Sequence, residues 1–133
     1  MRKLGKVIKH GGLNVWPHEL EMADIFTAAG HTVEFIRPKD KTGEHTLDVL
    51  LDGKKWEFKS PKSSKMDAVE RNLKRGTKQS RRIVFYSCRI KRIPDKAILR
   101  ELTTKSHANK YITYLKFINS QDKIIDVNGV DIK

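Results

Sequence analysis

The sequence predicts one mixed α/β domain, a sheet of mixed pairing packed with helices. Three observations predict it. Two alternating runs flank Asp52-Gly53, the dipeptide that most readily takes the positive φ angles of a two-residue hairpin turn. Helical stretches bounded by proline, serine and glycine lie on either side of that hairpin. Beyond them, Ile83 to Cys88 is a nearly all-apolar run, as a strand buried on both faces would be.

Residues 1–12 are basic, carry Gly11-Gly12, and read as a mobile or edge segment. Pro17 suits the first turn of a helix and Gly30 its end, which predicts a helix from Pro17 to Ala29. Its apolar residues Met22, Ala23, Phe26 and Ala29 recur at helical spacing, and Glu19 falls on the same stripe. Two readings of Glu19 stand side by side: a carboxylate with a functional partner, or one that favours the positive helix N-terminus. Thr32 to Ile36 reads as a strand closed by Pro38, and 39–45 as a polar loop with Gly43.

With Asp52 and Gly53 as the loop, Leu51 faces Lys54, and the same register sets Asp48 opposite Glu57. Strand alternation puts Thr46, Asp48, Leu50, Lys55, Glu57 and Lys59 on one face. Leu47, Val49, Leu51, Trp56 and Phe58 form the apolar reverse. Opposed carboxylates repel, so they must share a proton, meet a basic neighbour or share a cation. Lys59 supplies the basic neighbour, and two carboxylates with a lysine is a common way to hold a hard divalent metal and its water. A solvated, salt-bridged hairpin explains the same residues, and both readings stand.

Pro61 and Ser63-Ser64 break the chain before a second helix, from about Lys65 to Ser80. Its narrow apolar stripe is Met66, Val69 and Leu73, continued by Gly76 and Thr77, small enough to pack closely on a sheet. From Arg71 to Arg92 there are nine Lys/Arg and no acid. One sign of charge over that length favours a phosphate-binding surface over a solvated face. Cys88 reads as a small core residue. Pro94 opens a third helix to about Lys105. Tyr111 to Ile118 reads as a strand, and Ile124 to Ile132 as a tight hairpin around Asn128-Gly129.

The chain of 133 residues suits a single domain, 1–133, with one core. It contains 38% hydrophobic and 33% charged residues, and no apolar run reaches the roughly 20 residues of a membrane span. The basic start lacks the apolar region of a signal peptide, which predicts a cytoplasmic site of action. A single cysteine excludes an internal disulfide and any cysteine-built zinc site. The net charge of +12 favours a polyanionic partner, nucleic acid before a membrane surface. The five histidines lack metal-ligand spacing, and His18 beside Glu19 points a different way on a helix.

The order is helix with Glu19, strand, strand with Asp48, strand with Glu57 and Lys59, helix, buried strand. In this the chain resembles the PD-(D/E)XK nuclease superfamily, whose core is αβββαβ and restriction-endonuclease-like. The segment Trp56-Glu-Phe-Lys-Ser-Pro-Lys62, followed by Asn72-Leu-Lys-Arg75 and Lys78-Gln-Ser80, is similar to the C-terminal nuclease domain of CdiA-type contact-dependent inhibition toxins, described as tRNA nucleases. The resemblance covers roughly residues 16–92 and leaves 93–133 as an extension with an extra helix and hairpin. Leu47 stands where the superfamily's name has proline. The resemblance implies catalysis by Glu19, Asp48, Glu57 and Lys59. Asp48, Glu57, the Phe58 backbone carbonyl and Glu19 would hold Mg²⁺ or Mn²⁺, and Lys59 would orient and help deprotonate the attacking water. Lys62, Arg71, Lys74, Arg75, Lys78 and Gln79 would hold the substrate backbone. The implied substrate is RNA, in particular tRNA, with DNA as the alternative and a non-catalytic nucleic-acid-binding module as the competing class. An immunity protein is the protein partner the resemblance admits.

Overall fold

A computed structural model describes residues 5–37 and 47–129. Pro38, the 39–45 loop, Thr46 and the 130–132 strand of the expected second hairpin lie outside them. The fold is mixed α+β, with three helices and a seven-strand mixed sheet paired in chain order. The chain divides after Trp56 into two compact units, Met1–Trp56 and Glu57–Lys133.

In the first unit, strand β1 (Val7–Lys9) pairs in parallel with β2 (Val33–Ile36), so the basic N-terminal segment supplies an edge strand. Helix α1 (Pro17–Ala28) starts at the expected proline and buries Met22, Ala23 and Phe26. Strand β2 runs antiparallel to β3 (Asp48–Leu51), which turns at Asp52-Gly53 into β4 (Lys54–Lys59). The turn has φ of 52° at Asp52 and 84° at Gly53, the left-handed pair that a two-residue hairpin requires. Leu51 faces Lys54, Leu50 faces Lys55 and Val49 faces Trp56, as the sequence register predicts. Val49, Leu51 and Trp56 are buried on one face, so a one-residue slip would turn all three to solvent. Asp52 does more than turn the chain. Its carboxylate meets His31 Nδ1 at 2.5 Å and accepts the Thr32 N–H at 2.9 Å, tying the turn to the start of β2.

In the second unit, β5 (Arg82–Tyr86) runs parallel to both β4 and β6 (Tyr114–Ile118), and Ile83, Val84, Phe85 and Tyr86 are all buried. A strand covered on both faces is what the apolar run required. Helices α2 (Asp67–Gly76) and α3 (Asp95–Ala108) bury Val69, Leu73, Ile98 and Leu102 in one core with Ile83, Phe85, Leu115 and Phe117.

Several expectations are corrected. Helix α2 stops at Gly76 rather than Ser80. Glycine ends it readily, and the Thr77 hydroxyl then donates back to the Lys74 carbonyl at 2.6 Å. Cys88 is exposed, because the apolar strand ends at Tyr86 and Cys88 lies in the turn that follows. Helix α3 runs three residues past Lys105. Tyr111 is outside β6, since the Asn109 side chain accepts its N–H at 2.9 Å and holds a turn there. Among the described residues β6 also forms a hairpin with β7 (Ile124–Asn128), whose turn is at 119–123. Asn119 Oδ1 accepts the N–H groups of Gln121 and Lys123, which closes that turn, and Asp122 takes φ of 62° within it.

Candidate functional site

Two of the expected acidic residues lie in the first unit. Glu19 is the third residue of α1, and its Oε1 accepts the Trp16 N–H at 2.8 Å. It thereby satisfies one of the donors that a helix start leaves open, which is the capping reading of this carboxylate. Asp48 opens β3, a quarter exposed, with its Oδ1 3.5 Å from Lys55 Nζ. Lys55 is a partner the sequence argument left unused, though alternation already placed it on the Asp48 face.

The remaining catalytic candidates lie in the second unit. Glu57 and Lys59 share one face of β4, with Lys59 Nζ 3.4 Å from Glu57 Oε2. Both side chains are only about one-fifth exposed, 18% and 20%. Exposed ion pairs contribute little because water screens them, whereas partial burial strengthens the field of each charge on whatever binds beside it. Between them in sequence, Phe58 pairs with Val84 of β5. The stem of Lys59 runs beside the end of α2. A Cβ added at Gly76 would lie 3.6 Å from Lys59 Cε and 3.0 Å from Ile83 Cδ1. Glycine at 76 is therefore what lets the helix end approach β4 and β5 so closely, with Lys59 in the space beside it.

The basic stretch of 71–92 separates into different roles. Arg89 donates through Nε and Nη2 to the Ser60 carbonyl at 2.9 and 2.5 Å, pinning the segment that leaves β4. Arg82 lies 5.1 Å from the Tyr114 ring centroid. Arg71 pairs with Asp67 at 3.3 Å and Lys74 with Glu70 at 3.6 Å, each one helical turn earlier. The charge run contains no acid, but the acids just before it in sequence meet it on the helix surface. Arg71, Lys74, Arg75, Lys78, Gln79 and Lys62 are all exposed. Each of them is available to a phosphate backbone.

Among the described residues, no group of three or more His, Cys, Asp or Glu side chains is arranged to hold a metal ion. The carboxylates of Asp48 and of Glu57 are each hard oxygen donors of the kind Mg²⁺ and Mn²⁺ take. Magnesium favours hard oxygen donors and is usually held by one or two carboxylates, keeping its other positions for water and substrate phosphate. No helix among the described residues is long and apolar enough to cross a membrane.

The architecture is shared with a chain of the CdiA-CT/CdiI toxin and immunity complex from Burkholderia pseudomallei. That chain superimposes with a TM-score of 0.66 at 12% sequence identity, covering 94% of this chain and 100% of that one. At so low an identity the match speaks for the fold. Family membership comes from the sequence itself: residues 44–124 match the contact-dependent growth inhibition CdiA C-terminal domain. The chain belongs to that family. No curated protein matches it.

Proposed function

We propose that this domain is a toxin nuclease that hydrolyses phosphodiester bonds in RNA, tRNA in particular, with a divalent metal. The observation that carries the reading is the part-buried Glu57–Lys59 pair on β4. A carboxylate and an amine two residues apart on a strand point the same way and can face one bound group. Membership of the CdiA C-terminal domain family and the exposed cations of α2 support it.

In this reading Asp48 and Glu57 supply the carboxylate oxygens for Mg²⁺ or Mn²⁺, with the Phe58 carbonyl beside them. Bound there, such a metal would supply charge stabilisation at the scissile phosphate and would acidify water. Lys59 orients the attacking water and helps take its proton. Glu19, whose Oε1 accepts the Trp16 N–H, would complete the site directly or through water. Lys62, Arg71, Lys74, Arg75, Lys78 and Gln79 hold the substrate backbone without reading sequence. An immunity protein is the protein partner proposed.

The test is a cleavage assay on total tRNA and on plasmid DNA, with Mg²⁺, Mn²⁺ or EDTA, beside the Asp48→Ala protein. Metal-dependent loss of tRNA that the variant fails to produce is the expected result. Loss of plasmid alone would move the substrate to DNA. Salt-sensitive binding of both polymers with no cleavage of either would reduce the domain to a binding module.

A further inference from the structure

The second unit contains a cavity of about 600 Å³ between the C-terminal halves of α2 and α3, away from Glu57 and Lys59 in sequence and lined by none of the catalytic candidates. Its size lies within the range of small-ligand sites, roughly 300–1,000 Å³. Leu73, almost fully buried, lines it with apolar surface. Lys74, Lys105 and Lys110 supply cations and Glu70 a carboxylate, so its charged lining is net positive. Lys105 Nζ and Lys74 Nζ lie 3.7 and 3.6 Å from Glu70 Oε2, so that carboxylate is shared between two amines. Tyr111 also lines the cavity, half exposed at 51%, one of two large hydrophobic side chains so exposed among the described residues. Its backbone is fixed by Asn109, and Lys110 Nζ lies 5.2 Å from its ring centroid.

An apolar-walled groove with an exposed aromatic ring and lysines around it has the two components that single-stranded nucleic acid needs. The ring offers a face on which any base can stack, and the amines meet the phosphates on either side. Lys74 belongs both to this groove and to the exposed basic face of α2, so a strand following that face leads into the groove. We infer that the α2–α3 groove is a subsite for an unpaired nucleotide of the substrate, its base stacked on Tyr111 and its phosphates met by Lys74, Lys105 and Lys110. The inference rests on the nucleic-acid reading above, but not on metal or cleavage.

Binding measured by fluorescence anisotropy in EDTA tests it, with labelled single-stranded RNA and the same RNA as a blunt duplex. Tyr111→Ala should weaken single-strand binding roughly tenfold and leave duplex binding nearly unchanged. Tyr111→Phe should restore the single-strand affinity, because it keeps the ring. Tyr111 is exposed, so neither change disturbs the core. An unchanged single-strand affinity in Tyr111→Ala, or an equal loss for duplex, overturns the subsite while the nuclease reading stands. In the first of those cases the groove falls to a protein partner instead. Failure of the unaltered protein to bind either RNA overturns both the subsite and the RNA reading.

Discussion

Glu57 and Lys59 share a face because strand side chains alternate, and their 3.4 Å approach follows from that spacing. If the pair is catalytic, Lys59→Ala should lower the cleavage rate by roughly 10²–10⁴-fold, the range typical of a positioned proton-transfer group. Asp48→Ala should lose cleavage as well, and both should keep their circular dichroism spectra and RNA affinity. Unaltered activity in both variants would remove these residues from the site. Asp95 illustrates a different residue-scale effect. Its burial works to raise the carboxyl pKa, but hydrogen bonds from the Ser120 hydroxyl and N–H and from the Ser87 hydroxyl together outweigh it. The net effect holds the group below its ordinary value. A lowered folded-state pKa stabilises the fold fully above the ordinary carboxylate value of about 3.9. That stabilisation is lost as pH falls through the lower folded value. Asp95→Asn should therefore lower stability at neutral pH. Its stability should converge on that of the unaltered protein in acid, as urea titrations at descending pH would record.

At the scale of elements, α2 is the piece whose composition and packing are most tightly joined. Its buried side, Ala68, Val69, Leu73 and Gly76, recurs at helical spacing, and its other side carries the exposed cations. Gly76 closes the buried side at the point where Ile83 and the Lys59 stem come nearest. Gly76→Val would force a branched side chain against the buried Ile83, and about 2 kcal/mol of stability should go with it. The same change should lower cleavage out of proportion to binding, because it displaces Lys59 and leaves the outer cations in place. A thermal melt beside both assays separates the two effects. The turns were less evenly legible. Asp52-Gly53 announced itself because that dipeptide is specific for its turn. The 119–123 turn depends on Asn119 bonding two backbone N–H groups, and asparagine does this in too many settings for one instance to point to it.

For the chain as a whole, the net charge of +12 is the property from which binding behaviour follows. Each phosphate neutralised releases counterions, so affinity falls with salt in proportion to the contacts made. Changing Arg71, Lys74 and Arg75 together to alanine should reduce the logarithmic salt slope for single-stranded RNA by about 2. An unchanged slope would take the α2 face out of the footprint. The ion pairs to Asp67 and Glu70 are exposed and weak, so a phosphate would compete for Arg71 and Lys74 at little cost.

By itself the sequence determined the alternation of helices and strands, the hairpin register from Asp52-Gly53, the buried central strand and the side-chain face shared by Glu57 and Lys59. These are local matters: periodicities of 2 and 3.6 residues and turn chemistry act between near neighbours, so a single sequence carries them. Tertiary structure alone decided which charges meet. It paired Asp48 with Lys55, gave Arg89 to the Ser60 carbonyl and left Cys88 at the surface. It also set α2 against α3, which made a groove beside Tyr111 from residues more than thirty positions apart. Long polar side chains choose partners by distance in space, and that distance exists only once the core has brought the elements together.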